Sequence, residues 1–139
     1  MEWFSVDGVN WLAVVLAFVA SFALGWIWYS PQGLFKPWAA AAGITPESMH
    51  NAKMGPAFAQ TILANALGVV VLAVLMVNLG VGTWWEGLLL GGLIGLVFRG
   101  GAHALHNGFA QRSGRVTFID AAHDASALAI AGAILGLMG

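Results

Sequence analysis

Four stretches of the chain run apolar for roughly 20 residues each, the length a helix needs to cross a bilayer, with short polar breaks between them. Residues 9–29 and 57–79 contain no charged side chain, residues 84–106 carry Glu86 near one end and Arg99 farther in, and residues 116–138 carry Asp120, His123 and Asp124 in their first third. A helix rises about 1.5 Å per residue against a hydrocarbon core of about 30 Å, so every stretch is long enough to span. The pattern predicts one domain, residues 1–139, built as an all-α bundle of four transmembrane helices. The first stretch follows Glu2 and Asp7 rather than a basic leader, which reads as a retained helix and not as a signal peptide.

The breaks predict how the bundle sits. Lys36 and Lys53 fall in the first connection and Arg112 and Arg115 in the third, while the N-terminus, the 78–83 turn and the C-terminus hold no Lys or Arg. By the positive-inside rule the first and third connections are cytoplasmic and both termini lie outside. The tryptophans fit that register, since amphipathic rings gather at both interfaces. Trp3, Trp11, Trp84 and Trp85 fall at the outer level, and Trp26, Trp28 and Trp38 at the inner one beside Tyr29.

Residues 30–56 form the only long connection. Lys36-Pro37-Trp38, four alanines and Gly43 predict a short helix with a glycine stop, and Thr45-Pro46-Glu47 a second helix start with Thr45 as cap. Phe35 and Trp38 would let the first of these lie in the interface. A plain surface connector is the alternative.

Composition agrees with lipid as the outer solvent. Charged residues make up 8% and apolar residues 60% of the chain, too few charges to cover a soluble surface. Mean hydropathy is +0.84. The net charge of -1 and the lack of a basic patch give no sign of nucleic acid, and the absence of cysteine removes disulfides, thiolate metal sites and thiol nucleophiles. With no G-x-S-x-G elbow, P-loop or dinucleotide fingerprint, no enzyme activity and no cofactor is expected.

Small residues recur at spacing four in three spans: Ala13, Ala17, Ser21 and Gly25 in the first, Gly87, Gly91 and Gly95 in the third, and Ala121, Ala125, Ala129 and Ala133 in the fourth. Such stripes let helices approach closely in lipid. They predict packing within the bundle, or a homo-oligomer or partner membrane protein docked on one of them.

Against this apolar background one cluster stands out. Arg99, His103 and His106 are spaced i, i+4 and i+7, within about 60° of one helix face. Asp120, His123 and Asp124 spread over about 100° on the next span, which runs antiparallel. Arg99 and Asp124 come to similar depths, with His103 level with Asp120 and His123 nearer the surface. An intramembrane charge costs about 2.5–3.5 kcal/mol on insertion scales, so such groups are paired, functional, or both. The structural reading is an Arg99–Asp124 or Arg99–Asp120 salt bridge locking the third and fourth spans. The functional reading is a site that binds or passes a small solute or proton, in which histidine titrates near neutral pH. Metal held by His103, His106, His123 and Asp120, or heme on one histidine, are further alternatives. Gln60, Thr61 and Asn65 are placed to face the cluster from the second span or to bond neighbouring helices.

Asn10-Trp11-Leu12-Ala13-Val14 opening the first span, Trp28-Tyr29-Ser30-Pro31 closing it, the Lys36-Pro37-Trp38 segment and the closing Gly132-Ala133-Ile134-Leu135-Gly136 together resemble the bacterial domain-of-unknown-function family 1761. The resemblance covers nearly the whole chain. It implies a small multi-pass protein of the bacterial plasma membrane and supports four spans, and it brings no activity and no functional residues.

Overall fold

The computed structural model describes residues 5–139, so the position expected for Trp3 lies outside the described residues. All regular structure among them is helical, in the order α1 (Trp11–Trp28), α2 (Phe35–Ala42), α3 (Pro46–His50), α4 (Met54–Leu79), α5 (Trp84–Ile94), a π-helical turn (Gly95–Gly100), α6 (Gly101–Phe109) and α7 (Gly114–Met138). Helix α5, the π turn and α6 form one continuous run. The four helices long and apolar enough to cross a membrane are α1, α4, the run from Trp84 to Phe109, and α7. They coincide with the four predicted stretches.

Local chemistry sets the ends. Asn10 accepts at its Oδ1 from the backbone N–H groups of Leu12 and Ala13, capping α1. Gly43 and Gly80 stop α2 and α4 in the left-handed conformation, at φ 70° and 68°, as glycine does at a helix C-terminus. Thr45 caps α3 with Pro46 in its first turn, and Ser48 completes a reciprocal capping box. Two boundaries move from expectation. Pro56 sits inside the first turn of α4, where proline costs no hydrogen bond, so that helix starts at Met54. Arg115, expected in the third connection, lies in the first turn of α7 because Ser113 caps that helix.

Helix α7 is the centre of the bundle, packed against α1, α4, α5, the π turn and α6, with α2 leaning on it from outside. Its closest partner is α5. A Cβ built on Gly87 would overlap the Gly132 carbonyl, one on Gly91 the Leu128 carbonyl, and one on Gly136 the Thr83 carbonyl. One on Gly95 would stand 2.5 Å from the Asp124 carbonyl oxygen and 2.7 Å from the Ala125 Cα, and one on Gly100 3.0 Å from the Ala121 Cβ. The two backbones therefore touch along their whole length. The glycines step 87, 91, 95 and then 100. The last step is five residues, and the π turn, with its wider i→i+5 winding, is what keeps Gly100 on the α7 side.

The other stripes are also used inside the chain. Ala13, Ala17 and Ser21 are buried on α1, and Ala125 and Ala129 lie against Gly95 and Gly92. At mid-height the buried Asn65 Nδ2 donates to Ser21 Oγ at 3.0 Å, tying α4 to α1. Near the termini, Asn10 Nδ2 donates to the Met138 carbonyl at 2.8 Å and Asn78 Nδ2 to the Ser5 carbonyl at 2.8 Å. Only 17–33% of each span's most apolar window is buried, so most of the apolar side chains face outward. Trp11, Trp84 and Trp85 stand at the end holding Ser5 and Met138, and Trp26, Trp28 and Trp38 at the opposite, connector end.

Candidate functional site

The cluster forms where α1, α6, α7 and the π turn meet, in the half of the bundle toward the connectors. Its hub is the Asp124 carboxylate, whose side chain is 17% exposed. His103 Nε2 lies 3.0 Å from Asp124 Oδ2 and His123 Nδ1 lies 3.2 Å from Oδ1, so each carboxylate oxygen meets one imidazole. Arg99 Nη1 stands 3.9 Å from Oδ1, while its Nη2 donates to the Ala64 carbonyl of α4 at 3.3 Å. One aspartate thus gathers three basic side chains, two from the third span and one from its own helix.

Expectation had His103 level with Asp120, yet it bonds Asp124. Side chains lean toward the N-terminus of their own helix, and α6 and α7 are antiparallel. His103 therefore leans deeper while Asp124 leans toward the connectors, and the two meet between their Cα levels. Asp120 turns instead to α1, where the Tyr29 hydroxyl donates to its Oδ1 at 2.7 Å. From the sequence Tyr29 reads only as an interfacial aromatic. Its place one helical turn beyond Gly25, on the small-residue face of α1, is the signal that it points inward.

His123 fills the notch that Gly25 leaves in α1. A Cβ at Gly25 would stand 3.1 Å from His123 Nε2. The ring packs against Tyr29 at 5.1 Å between centroids and edge-on to Trp28 at 5.9 Å, and Tyr29 meets Trp38 of α2 at 5.5 Å. His123 Nε2, Trp28 Nε1 and Trp38 Nε1 are buried without a hydrogen-bond partner among the described residues. Gly25→Ala is accordingly expected to push the imidazole away from Asp124 at a cost of about 1–3 kcal/mol. The checking measurement is the ¹⁵N shift of the His123 ring: an unchanged Nδ1 signal would mean that α1 does not seat this residue.

His106 does not join. It lies about 120° around the helix from Gly100, the residue that touches α7, and it is exposed. Asn107, on the α7 side, donates instead to Thr117 Oγ1 at 3.0 Å. From the second span only Arg99's contact at Ala64 reaches the cluster. Asn65 is bonded to Ser21, and the Thr61 hydroxyl donates to its own helix at the Ala57 carbonyl. Among the described residues no group of three or more His, Asp or Glu side chains is arranged to hold a metal ion. The Arg99 guanidinium, a fixed positive charge beside the one carboxylate shared by two imidazoles, opposes a cation there.

Taken together, the four apolar helices and the half-buried polar hub define a small helical membrane protein. The chain belongs to the family described as protein of unknown function DUF1761, whose model matches residues 12–136. No curated protein and no solved structure matches it.

Proposed function

We propose that this is a multi-pass protein of the bacterial plasma membrane that binds and relays a proton, or a small solute coupled to one, at the Asp124 hub. In this reading both termini are outside, the connectors bearing Lys36, Lys53, Arg112 and Arg115 are cytoplasmic, and α2 lies in the inner interface through Phe35 and Trp38. The observation that carries the proposal is the sharing of one carboxylate by two imidazoles of unequal exposure, 36% for the His103 side chain and 18% for His123. Imidazole titrates near neutral pH and intramembrane His/Asp groups mark proton pathways. An imidazole that gains a proton on its outer nitrogen can release the proton it shares with the carboxylate. His103 would then exchange with the cytoplasmic side, Asp124 would hold the proton between the rings, and His123 would pass it toward α1 at Gly25. Arg99, 3.9 Å away, offsets the carboxylate's charge. A single four-helix chain encloses little space, so a complete pathway would run between copies or against a partner membrane protein.

The test is proton flux into liposomes that hold a pH-sensitive dye, with a potassium gradient and valinomycin supplying the driving force. The wild-type protein is expected to acidify the lumen well above the leak of empty vesicles, and Asp124→Asn to return it to that leak. Wild-type flux equal to that of empty vesicles would sink the relay reading.

A second reading is favoured by one contact, the Arg99 hydrogen bond to Ala64. It clips α4 to the third span, two elements whose backbones otherwise stay apart. Here the cluster is a structural lock in a non-catalytic accessory subunit.

A further inference from the structure

Between α4 and the third span runs a crevice of about 240 Å³, floored by Leu72 and Leu128 and open along the exposed Leu67 and Val71. Its lining is apolar except at one end, where the Arg99 side chain enters it beside Gly68. A Cβ at Gly68 would stand 3.6 Å from Arg99 Nη2, an ordinary contact distance, so the guanidinium lies beside α4 at this level. Guanidinium carries five N–H donors. Among the described residues it makes one hydrogen bond, to Ala64, and its nearest carboxylate oxygen is 3.9 Å away, beyond hydrogen-bonding distance. Arg99 lines one end of the groove, so a guanidinium with donors to spare borders an apolar channel that opens toward lipid, where unsatisfied polar groups are costly.

From these observations we infer that the crevice binds a single-chain amphiphile, a long-chain carboxylate, with its head on Arg99 and its tail along α4 toward Leu75. Carboxylate and guanidinium match as a two-pronged fork, which selects this head over an alcohol or an alkane. From Gly68 to Leu75 the groove follows α4 for about 10 Å, a long narrow course suited to a chain rather than a ring system. The head site also lies deep. Arg99 is ten residues, about 15 Å, from the Phe109 end of its 26-residue span. A glycerophospholipid brings a bulky head and two chains, whereas a single-chain acid brings one small carboxylate whose charge a guanidinium at that depth would offset. The inference goes beyond proton relay and stands whether or not Asp124 conducts.

The experiment uses palmitic acid bearing a mid-chain diazirine, photolysed with the full-length protein in nanodiscs, with the labelled residues mapped by mass spectrometry. Labelling is expected to concentrate between Leu67 and Leu75 and at Ile94, and to fall at least tenfold in Val71→Trp, which fills the groove from an exposed position. It should fall similarly in Arg99→Gln, and for a hexadecane probe with the same diazirine. Labels spread evenly over the lipid-facing surface, or equal labelling by the hexadecane probe, would overturn the inference. So would equal labelling of the same residues by a diacyl phospholipid bearing the diazirine on one chain, which would make the groove an ordinary lipid seat. Because Val71 belongs to no part of the polar hub, that variant decides the matter even if Arg99→Gln fails to fold.

Discussion

Gly91→Val is expected to force the third span off the fourth and to cost about 3 kcal/mol, the upper end of what overpacking usually costs. The reason is the absence of any space at that point. A Cβ there already overlaps the Leu128 carbonyl, and a backbone carbonyl cannot swing aside as a side chain can. Helices in lipid gain nothing from hiding apolar surface from one another, so close backbone contact through small residues is the main adhesive between them. Opening the seam at its middle loosens Gly87 against Gly132 above and Gly95 against Asp124 below. Thermal unfolding in a mild detergent, followed as loss of the monodisperse peak, would show the change. Gly101→Ala is the matched control. Nothing stands within 4 Å of a Cβ at that position, and alanine exceeds glycine in helix preference by up to about 1 kcal/mol, so this variant should melt at or slightly above the wild type. Equal melting of Gly91→Val and wild type would refute the seam.

The second large effect is expected at the hub. Asp124→Leu leaves Arg99 inside the bundle without a carboxylate, which should cost about 3 kcal/mol, in the range for stranding a charge in the membrane interior. Arg99→Leu combined with Asp124→Leu removes both charges and should recover most of that loss. The pairwise coupling between neighbouring groups of this kind runs to about 0.5–3 kcal/mol. Purely additive losses across the four-member cycle would show that the 3.9 Å separation of Arg99 and Asp124 carries no energetic link. His103→Ala should leave stability nearly unchanged, since the ring is 36% exposed and Asp124 keeps His123 and Arg99. If that variant also abolishes proton flux, the hub works as a relay. If it leaves a measurable flux untouched, the hub is only a lock.

How much of this could be read beforehand depends on range. The four spans, the α2 stop at Gly43 and the Thr45 cap were legible because they rest on composition and on contacts a few residues apart. So was the pairing of Arg99 with Asp124, since helical depth sets them level and charge in lipid demands a partner, whereas His103 was expected beside Asp120. Tyr29 was not legible as a hub residue, because its bond to Asp120 spans 91 positions and depends on how α1 crosses α7. Nor was His106 legible as an outsider. Its spacing places it near the Arg99 face, yet the line of contact with α7 runs through Gly100, His103 and Asn107 instead. The five-residue glycine step from 95 to 100 was present in the sequence, but its meaning appears only when both ends are seen touching the same helix.

That step has a consequence for the third span as a whole. An ordinary helix with glycines four apart would have zipped onto α7 just as tidily with one residue fewer. The surplus residue therefore adds nothing to the seam, and winding it in as a rarer, wider turn makes the span harder to form. What the slack delivers is sideways reach. It swells the helix at the level of Arg99, away from the glycine edge, and lets the guanidinium extend across to the Ala64 carbonyl while its neighbour Gly100 stays pressed to Ala121. One helix thereby meets α4 through Arg99 and α7 through Gly100 at one height.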